Sequence, residues 1–217
     1  MAIIFDLDGT LINSFGIHAE LIKKAADSIL GKGAISEEFI NKNIKFPSKI
    51  MLKMVEKEQK THISDRQMSA IIKLKDSLFT PRYIKKIKFY PGAVQMLRFL
   101  KNKNLKFCIA TSMNGDELKK VNPFLKLDSL SEIVNAPPLK HEKPDPYIIN
   151  KAIRLLDADR KKTFYVGDAE TDYMASGNAK IKFIGVNNPS LKDKGYMYFR
   201  DTSSLSLFLK RNYRCFF

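Results

Sequence analysis

The chain is poor in the residues that make covalent or metal frameworks. It has 217 residues, two cysteines and three histidines. Two cysteines build no disulfide framework: Cys108 lies in the apolar run Leu105-Lys106-Phe107-Cys108-Ile109-Ala110 and reads as a small core residue, Cys215 stands near the end, and no spacing supports a bond between them. A reducing compartment is the simpler expectation. His18, His62 and His141 match no metal-ligand spacing. No apolar run approaches the roughly 18 residues of a membrane span, so no membrane is expected. Met1 to Phe5 lacks a basic n-region and a long h-region, which makes the cytoplasm the expected location. Internal repeats and low-complexity linkers are also missing.

What the chain has in excess is positive charge, with 38 basic residues against 23 acidic ones and a net charge of +15. Of the basic residues 30 are Lys and 8 Arg, and they are scattered without an aromatic-interleaved stripe. That scatter reads as solvated surface and argues against nucleic acid as a partner. Residues 14–89 hold 16 basic and 8 acidic residues, just over half of the excess, a concentration able to draw anionic substrates.

The organising stretch is Ala2-Ile3-Ile4-Phe5-Asp6-Leu7-Asp8-Gly9-Thr10-Leu11. Four small or apolar residues read as a strand buried on both faces, and a Gly-containing turn stops it just after two carboxylates. After Asn13 the pattern becomes helical: Ile17, Leu21, Ala25 and Ile29 recur at helical spacing up to Gly31, Ser36 caps a short second helix, 48–60 continue with Ile50, Met51, Met54 and Val55 on one side, and Ser64 caps a fourth helix bearing Met68, Ile71, Ile72 and Leu78. From Tyr90-Pro91-Gly92 onward strands alternate with helices, including a helix over 144–156. The expectation is an α/β protein, a doubly wound parallel sheet (Rossmann-like) formed by 1–13 and 90–217, with a four-helix cap domain inserted over 14–89.

Three expected strand ends carry polar groups: Asp6 and Asp8, then Thr111 and Ser112, then Asp168 with Asp172 four residues on. Strands of a parallel sheet share direction, so these ends converge on one edge, which Lys143 can also reach. Carboxylates crowded at one edge need a cation, and all-oxygen ligation suits Mg2+. An ionised Asp6 needs no base to act as a nucleophile. Asp8, crowded by negative charge, then suits the acid that protonates the leaving oxygen and the base for the hydrolytic water.

Phe5-Asp6-Leu7-Asp8-Gly9-Thr10-Leu11, Ala110-Thr111-Ser112, Lys143-Pro144-Asp145-Pro146 and Val166-Gly167-Asp168-Ala169-Glu170-Thr171-Asp172 together resemble the four motifs of the haloacid dehalogenase-like hydrolases, in order and over nearly the whole chain. The nearest resemblance is to the branch of phosphoglycolate phosphatases and hexose-phosphate mutases with a helical cap after the first strand. It implies Asp6 as nucleophile forming an aspartyl-phosphate and Asp8 as acid/base. It implies Mg2+ held by the Asp6 carboxylate, the Asp8 carbonyl and Asp168, with Asp172 an outer ligand or partner for Lys143. Thr111, the Ser112 amide and Lys143 would hold the phosphoryl oxygens, with Gly9 and Thr10 in the same substrate-binding turn. Lys45 and Phe46 fall where the family's cap places its substrate-specificity loop, although the Gly often found there is replaced. A phosphonate-cleaving relative uses a cap lysine, a part Lys45 or Lys49 could play, but a halide-releasing activity would not need Asp8. The expected substrate is a small phosphorylated metabolite and the expected state a monomer or weak homodimer. Rival readings are a hexose-phosphate mutase, a phosphate-accepting receiver module, which would be about half as long, and a basic nucleic-acid binder on an enzyme fold.

Overall fold

The computed structural model describes residues 1–59, 61–135 and 141–216. Lys60, where the third helix was expected to end, lies outside the described residues, as does the side chain of Cys215. Cys108 is buried, and burial pushes its thiol up to about 12, so it behaves as an inert core residue.

Strand β1 (Ala2–Phe5) is fully buried on both faces, as its unbroken apolar composition requires. A closed turn follows, and the two-residue strand β2 (Ile12–Asn13). The helical segment then runs through α1 (Phe15–Leu30), α2 (Glu37–Asn43), α3 (Ser48–Gln59), α4 (Asp65–Leu78) and α5 (Pro81–Ile84). Ser36 caps α2 by accepting the Phe39 N–H, and Ser64 with Gln67 forms a reciprocal capping box on α4. Within this unit α1 packs on α4 around Ile22, Ala26, Phe39, Met51, Leu52, Val55, Met68 and Ile71.

Two expected stripe members, Ile29 and Ile50, are instead exposed. Steps of four residues overshoot a 3.6-residue turn by about 40° each, so three of them carry Ile29 off the face that Ile17 starts. The buried face of α1 runs through Ala19, Ile22 and Ala26 with Leu21 and Ala25, and Leu52 takes the place Ile50 was given in α3. The short α5 is a fifth helix beside the four expected.

The chain returns through β3 (Lys88–Phe89), which pairs antiparallel with β2. The protein divides into two compact units, Met1–Asn13 with Lys88–Phe217, and Ser14–Ile87. Next come α6 (Ala93–Asn102), β4 (Lys106–Thr111), α7 (Gly115–Leu125), α8 (Leu127–Leu130), β5 (Ile133–Asn135), α9 (Tyr147–Leu155), β6 (Thr163–Gly167), α10 (Glu170–Asn178), β7 (Lys182–Val186), β8 (Met197–Phe199) and α11 (Thr202–Phe216). The sheet is ordered β5-β4-β1-β6-β7-β8 and every neighbouring pair is parallel. Ile4, Cys108, Ala110 and Tyr165 form one face of its core with Ile149, Ala152 and Ala175 from α9 and α10.

Helix α9 begins three residues later than its sequence suggests. Pro146 disfavours helical backbone at Asp145, so Glu142 to Pro146 form a turn in which the Asp145 carboxylate accepts the Tyr147 N–H at 2.8 Å. Among the described residues no helix is long and apolar enough to cross a membrane.

Gly92 opens α6 at φ 84°, and a Cβ there would lie 2.9 Å from the Ser203 Cα of α11. Gly92→Ala is expected to lower the midpoint of urea unfolding, the left-handed backbone alone costing about 1–2 kcal/mol.

Candidate functional site

The sheet order makes β1 the place where the chain reverses its direction of travel: β4 and β5 are laid down on one side, β6 to β8 on the other. Loops beyond the carboxyl ends of strands part at such a point and leave a crevice. Register sets the heights. Phe5 pairs with Ile109 on one side and Val166 on the other, and the Asp6 N–H donates to the Val166 carbonyl at 2.8 Å. Asp6 is therefore carried to the same edge as Thr111 and Asp168.

Of the residues singled out in the sequence, Asp6, Asp168, Asp172 and Lys143 form one buried cluster. One carboxylate oxygen from each of the three acids lies within 4.8 Å of the others. The Lys143 ammonium donates to Asp6 Oδ1 and, at 2.8 Å, to Asp172 Oδ1, with all three side chains at most 8 % exposed. The other oxygen of Asp172 accepts the Ala169 N–H at 3.0 Å. Gly167 leaves room for this carboxylate, since a Cβ there would stand 2.5 Å from Asp172 Oδ2.

Thr10 turns its hydroxyl to Asp168 Oδ1 at 3.3 Å, so it serves the acid cluster in addition to lying in the expected substrate turn. Thr111 is fully buried, its hydroxyl accepting the Met113 N–H at 3.0 Å and keeping its own proton to donate. Ser112 beside it is exposed, and Asp8 is partly buried at the start of the turn containing Gly9, which adopts φ 81°. Lys45 and Phe46 belong to the helical unit, where the Lys45 ammonium lies 5.4 Å from the centre of the Phe15 ring and Phe46 is exposed. His141 pairs with Asp145 at 3.0 Å and stacks on Tyr147.

Sequence reasoning passed over Asn187, Asn188, Thr202 and Tyr165. Asn188 Nδ2 donates to the Asp168 carbonyl at 2.7 Å. Asn187 and Thr202 bond to the Gly9–Thr10 turn, and the Lys143 ammonium sits 5.3 Å from the centre of the Tyr165 ring. The available signal was position: Asn187 and Asn188 directly follow β7, at the strand-end edge that marks the other site residues.

The electrostatics favour a cation. Burial pushes the Asp6 carboxyl well above its usual range; Lys143 pulls it down, while Asp172, Asp168 and Asp8 push it further up. Burial works against the charged Lys143 ammonium too, but Asp172 and Asp6 outweigh it and hold the lysine protonated well above its ordinary value. Three close carboxylate oxygens at an edge with excess negative charge fit a hard divalent cation, with Asp6, Asp168 and Asp172 as the residues able to hold it.

Comparison with known proteins points to one family. A family model described as haloacid dehalogenase-like hydrolase matches residues 3–186. The beta-phosphoglucomutase of Bacillus subtilis strain 168 is 27% identical, the match covering 95% of this chain and 92% of that one. A phosphoglycolate phosphatase of Mesorhizobium japonicum is 23% identical over 85% of this chain and 82% of its own. Among solved structures, a hydrolase from Pseudomonas syringae superposes with a TM-score of 0.82 at 28% identity, covering 97% of this chain and 98% of that one.

A folded-state carboxyl raised above its usual 3.8 contributes stability that is complete below that value and lost as pH rises through the folded one. The metal-free protein should therefore lose this contribution on going from acid toward neutral pH. A divalent cation should restore it at pH 7.5, by about 2.7 kcal/mol at a hundred times its Kd, and restore much less at pH 4. Thermal melts with and without cation at the two pH values measure this.

Proposed function

The chain belongs to the haloacid dehalogenase-like hydrolases, and on that footing we propose that it is a Mg2+-dependent phosphatase acting on a small phosphorylated metabolite. The observation that carries the reading is the buried lysine shared by Asp6 and Asp172, with Asp168 within 4.8 Å, at the edge where the strands of the sheet end.

In this reading Asp6 is the nucleophile. Its carboxylate oxygen bonds to phosphorus as the bond from phosphorus to the substrate oxygen breaks, leaving an aspartyl-phosphate. Asp8 gives its proton to the departing oxygen, then takes one from the water that attacks the aspartyl-phosphate, which releases inorganic phosphate and restores both acids. The Lys143 ammonium, the Thr111 hydroxyl and the Ser112 amide hold the phosphoryl oxygens, and Lys143 offsets the charge gathered there. Asp6, the Asp8 carbonyl, Asp168 and Asp172 would hold Mg2+, which when bound neutralises the carboxylates and polarises the phosphoryl group. Lys45 and Phe46, in the helical unit, are candidates for substrate choice.

A second reading, a hexose-phosphate mutase using the same residues, is favoured by the match to a beta-phosphoglucomutase. The two differ in whether water or a second sugar-phosphate hydroxyl receives the phosphoryl group from Asp6.

The wild-type protein is expected to release phosphate from p-nitrophenyl phosphate and from at least one member of a phosphorylated-metabolite panel with Mg2+, and Asp6→Asn to reduce both to background. Sugar-phosphate isomer formation without phosphate release would select the mutase. Turnover surviving in Asp6→Asn would overturn both.

A further inference from the structure

The proposed reaction does not use the side chains that hold the turn after Asp8, yet that turn is bonded at several points. Residues 7–12 close on themselves, with the Gly9 N–H on the Ile12 carbonyl and the Leu11 and Ile12 N–H groups on the Leu7 carbonyl. The Gly9 and Thr10 carbonyls point away from that ring of bonds and are captured from a distant part of the chain. Asn187 Nδ2 donates to the Gly9 carbonyl at 2.7 Å and to the Thr10 carbonyl at 3.3 Å. The Thr202 hydroxyl donates to the Thr10 carbonyl at 2.8 Å and accepts from Asn187 Nδ2 at 3.0 Å. The Thr202 N–H, at the start of α11, donates to Asn187 Oδ1 at 3.0 Å and fixes which way the amide faces. Thr202 is buried, and Asn187 is held in the left-handed region at φ 57°.

From this we propose that Asn187, locked by Thr202, is a positioning residue for the acid/base Asp8. The inference rests on the phosphatase reading. Asp6 is held independently, by its place at the end of β1 and by Lys143. Asp8 is the last residue before a glycine turn, and the height of that turn is set by two carbonyls bonded to Asn187 and Thr202. A displacement of about 1 Å at a reacting group can cost about a hundredfold in rate. Loosening the clamp therefore impairs the proton given to the leaving oxygen more than the attack of Asp6 on phosphorus, since Asp6 and Lys143 keep their places and the Asp8 carbonyl is one of several groups proposed to hold Mg2+.

That division has a readout which general loosening of the fold would not produce. A p-nitrophenolate leaving group departs without a proton, whereas an alkoxide needs one. For Asn187→Gly, which keeps the left-handed backbone and removes the amide, and for Thr202→Ala, kcat/KM for a primary alkyl phosphate is expected to fall about tenfold or more, with p-nitrophenyl phosphate changed less than about threefold. Thr202→Ser, which keeps the hydroxyl, should retain both activities. Equal losses on the two substrates, or no loss in either Asn187→Gly or Thr202→Ala, would overturn the assignment. A wild-type protein that released phosphate from neither substrate would overturn the phosphatase reading and this inference with it.

Discussion

The site depends on one buried cation, the Lys143 ammonium, placed between the Asp6 and Asp172 carboxylates. Burying any of these charges alone would cost several kcal/mol, and breaking a buried pair leaves an uncompensated charge at a cost of about 3–5 kcal/mol. The arrangement persists because each partner arrives on a rigid support. Asp6 ends a strand paired on both sides, and Asp172 lies in the first turn of α10 with one oxygen on the Ala169 N–H. Lys143 comes from the turn that precedes α9, above the Tyr165 ring. Gly167 belongs to the same constraint, since a side chain at that point would occupy the space of the Asp172 carboxylate.

Around this ion cluster the sheet acts as a device for alignment. Because all its pairings are parallel, every strand delivers its last residue to the same edge, and because the order reverses at β1 the loops there diverge and leave a crevice. The residues of the edge sort by how they are held. Asp6 and Thr111 are extensions of strands and inherit their rigidity, whereas Asp8 opens a turn whose Gly9 and Thr10 carbonyls are bonded from a distant part of the chain. Asn187 and Asn188, just after β7, and Thr202, at the start of α11, join Gly9, Thr10 and Asp168 into one hydrogen-bonded layer. The proposed reaction, which asks its nucleophile to stay still and its acid to reach a departing group, suits a rigid strand end followed by a tethered turn.

Much of this was legible before any coordinates. The apolar run of β1, the caps Ser36 and Ser64, and the alternation of strand and helix after Tyr90 rest on local rules, and the structure carries them. Where local rules misled, a distant or directional effect had intervened. Ile29 drifted off its face because apolar residues four apart do not share a face indefinitely, and in α3 the buried side is centred on Met51, Leu52 and Val55, which leaves Ile50 at its margin. The start of α9 moved because Pro146 governs the residue before it. The ribbon of β2 and β3 has two residues in each strand, too few to show any periodicity, and exists only because the chain on either side of the helical unit meets itself.

The sequence by itself determined the chemistry available: which residues are acidic, which strands are apolar enough to be buried, and that acids stand where those strands stop. These are properties of single residues and their near neighbours, so they survive in a one-dimensional reading. The tertiary structure alone decided the partnerships, namely that Lys143 lies between Asp6 and Asp172, that Thr10 serves Asp168, and that Asn187 and Thr202 hold the Gly9–Thr10 turn from 178 and 192 positions away. The reason is directional: a hydrogen bond requires its donor and acceptor to meet within about 3 Å. No pattern along the chain encodes that distance until the sheet has set the strand ends side by side.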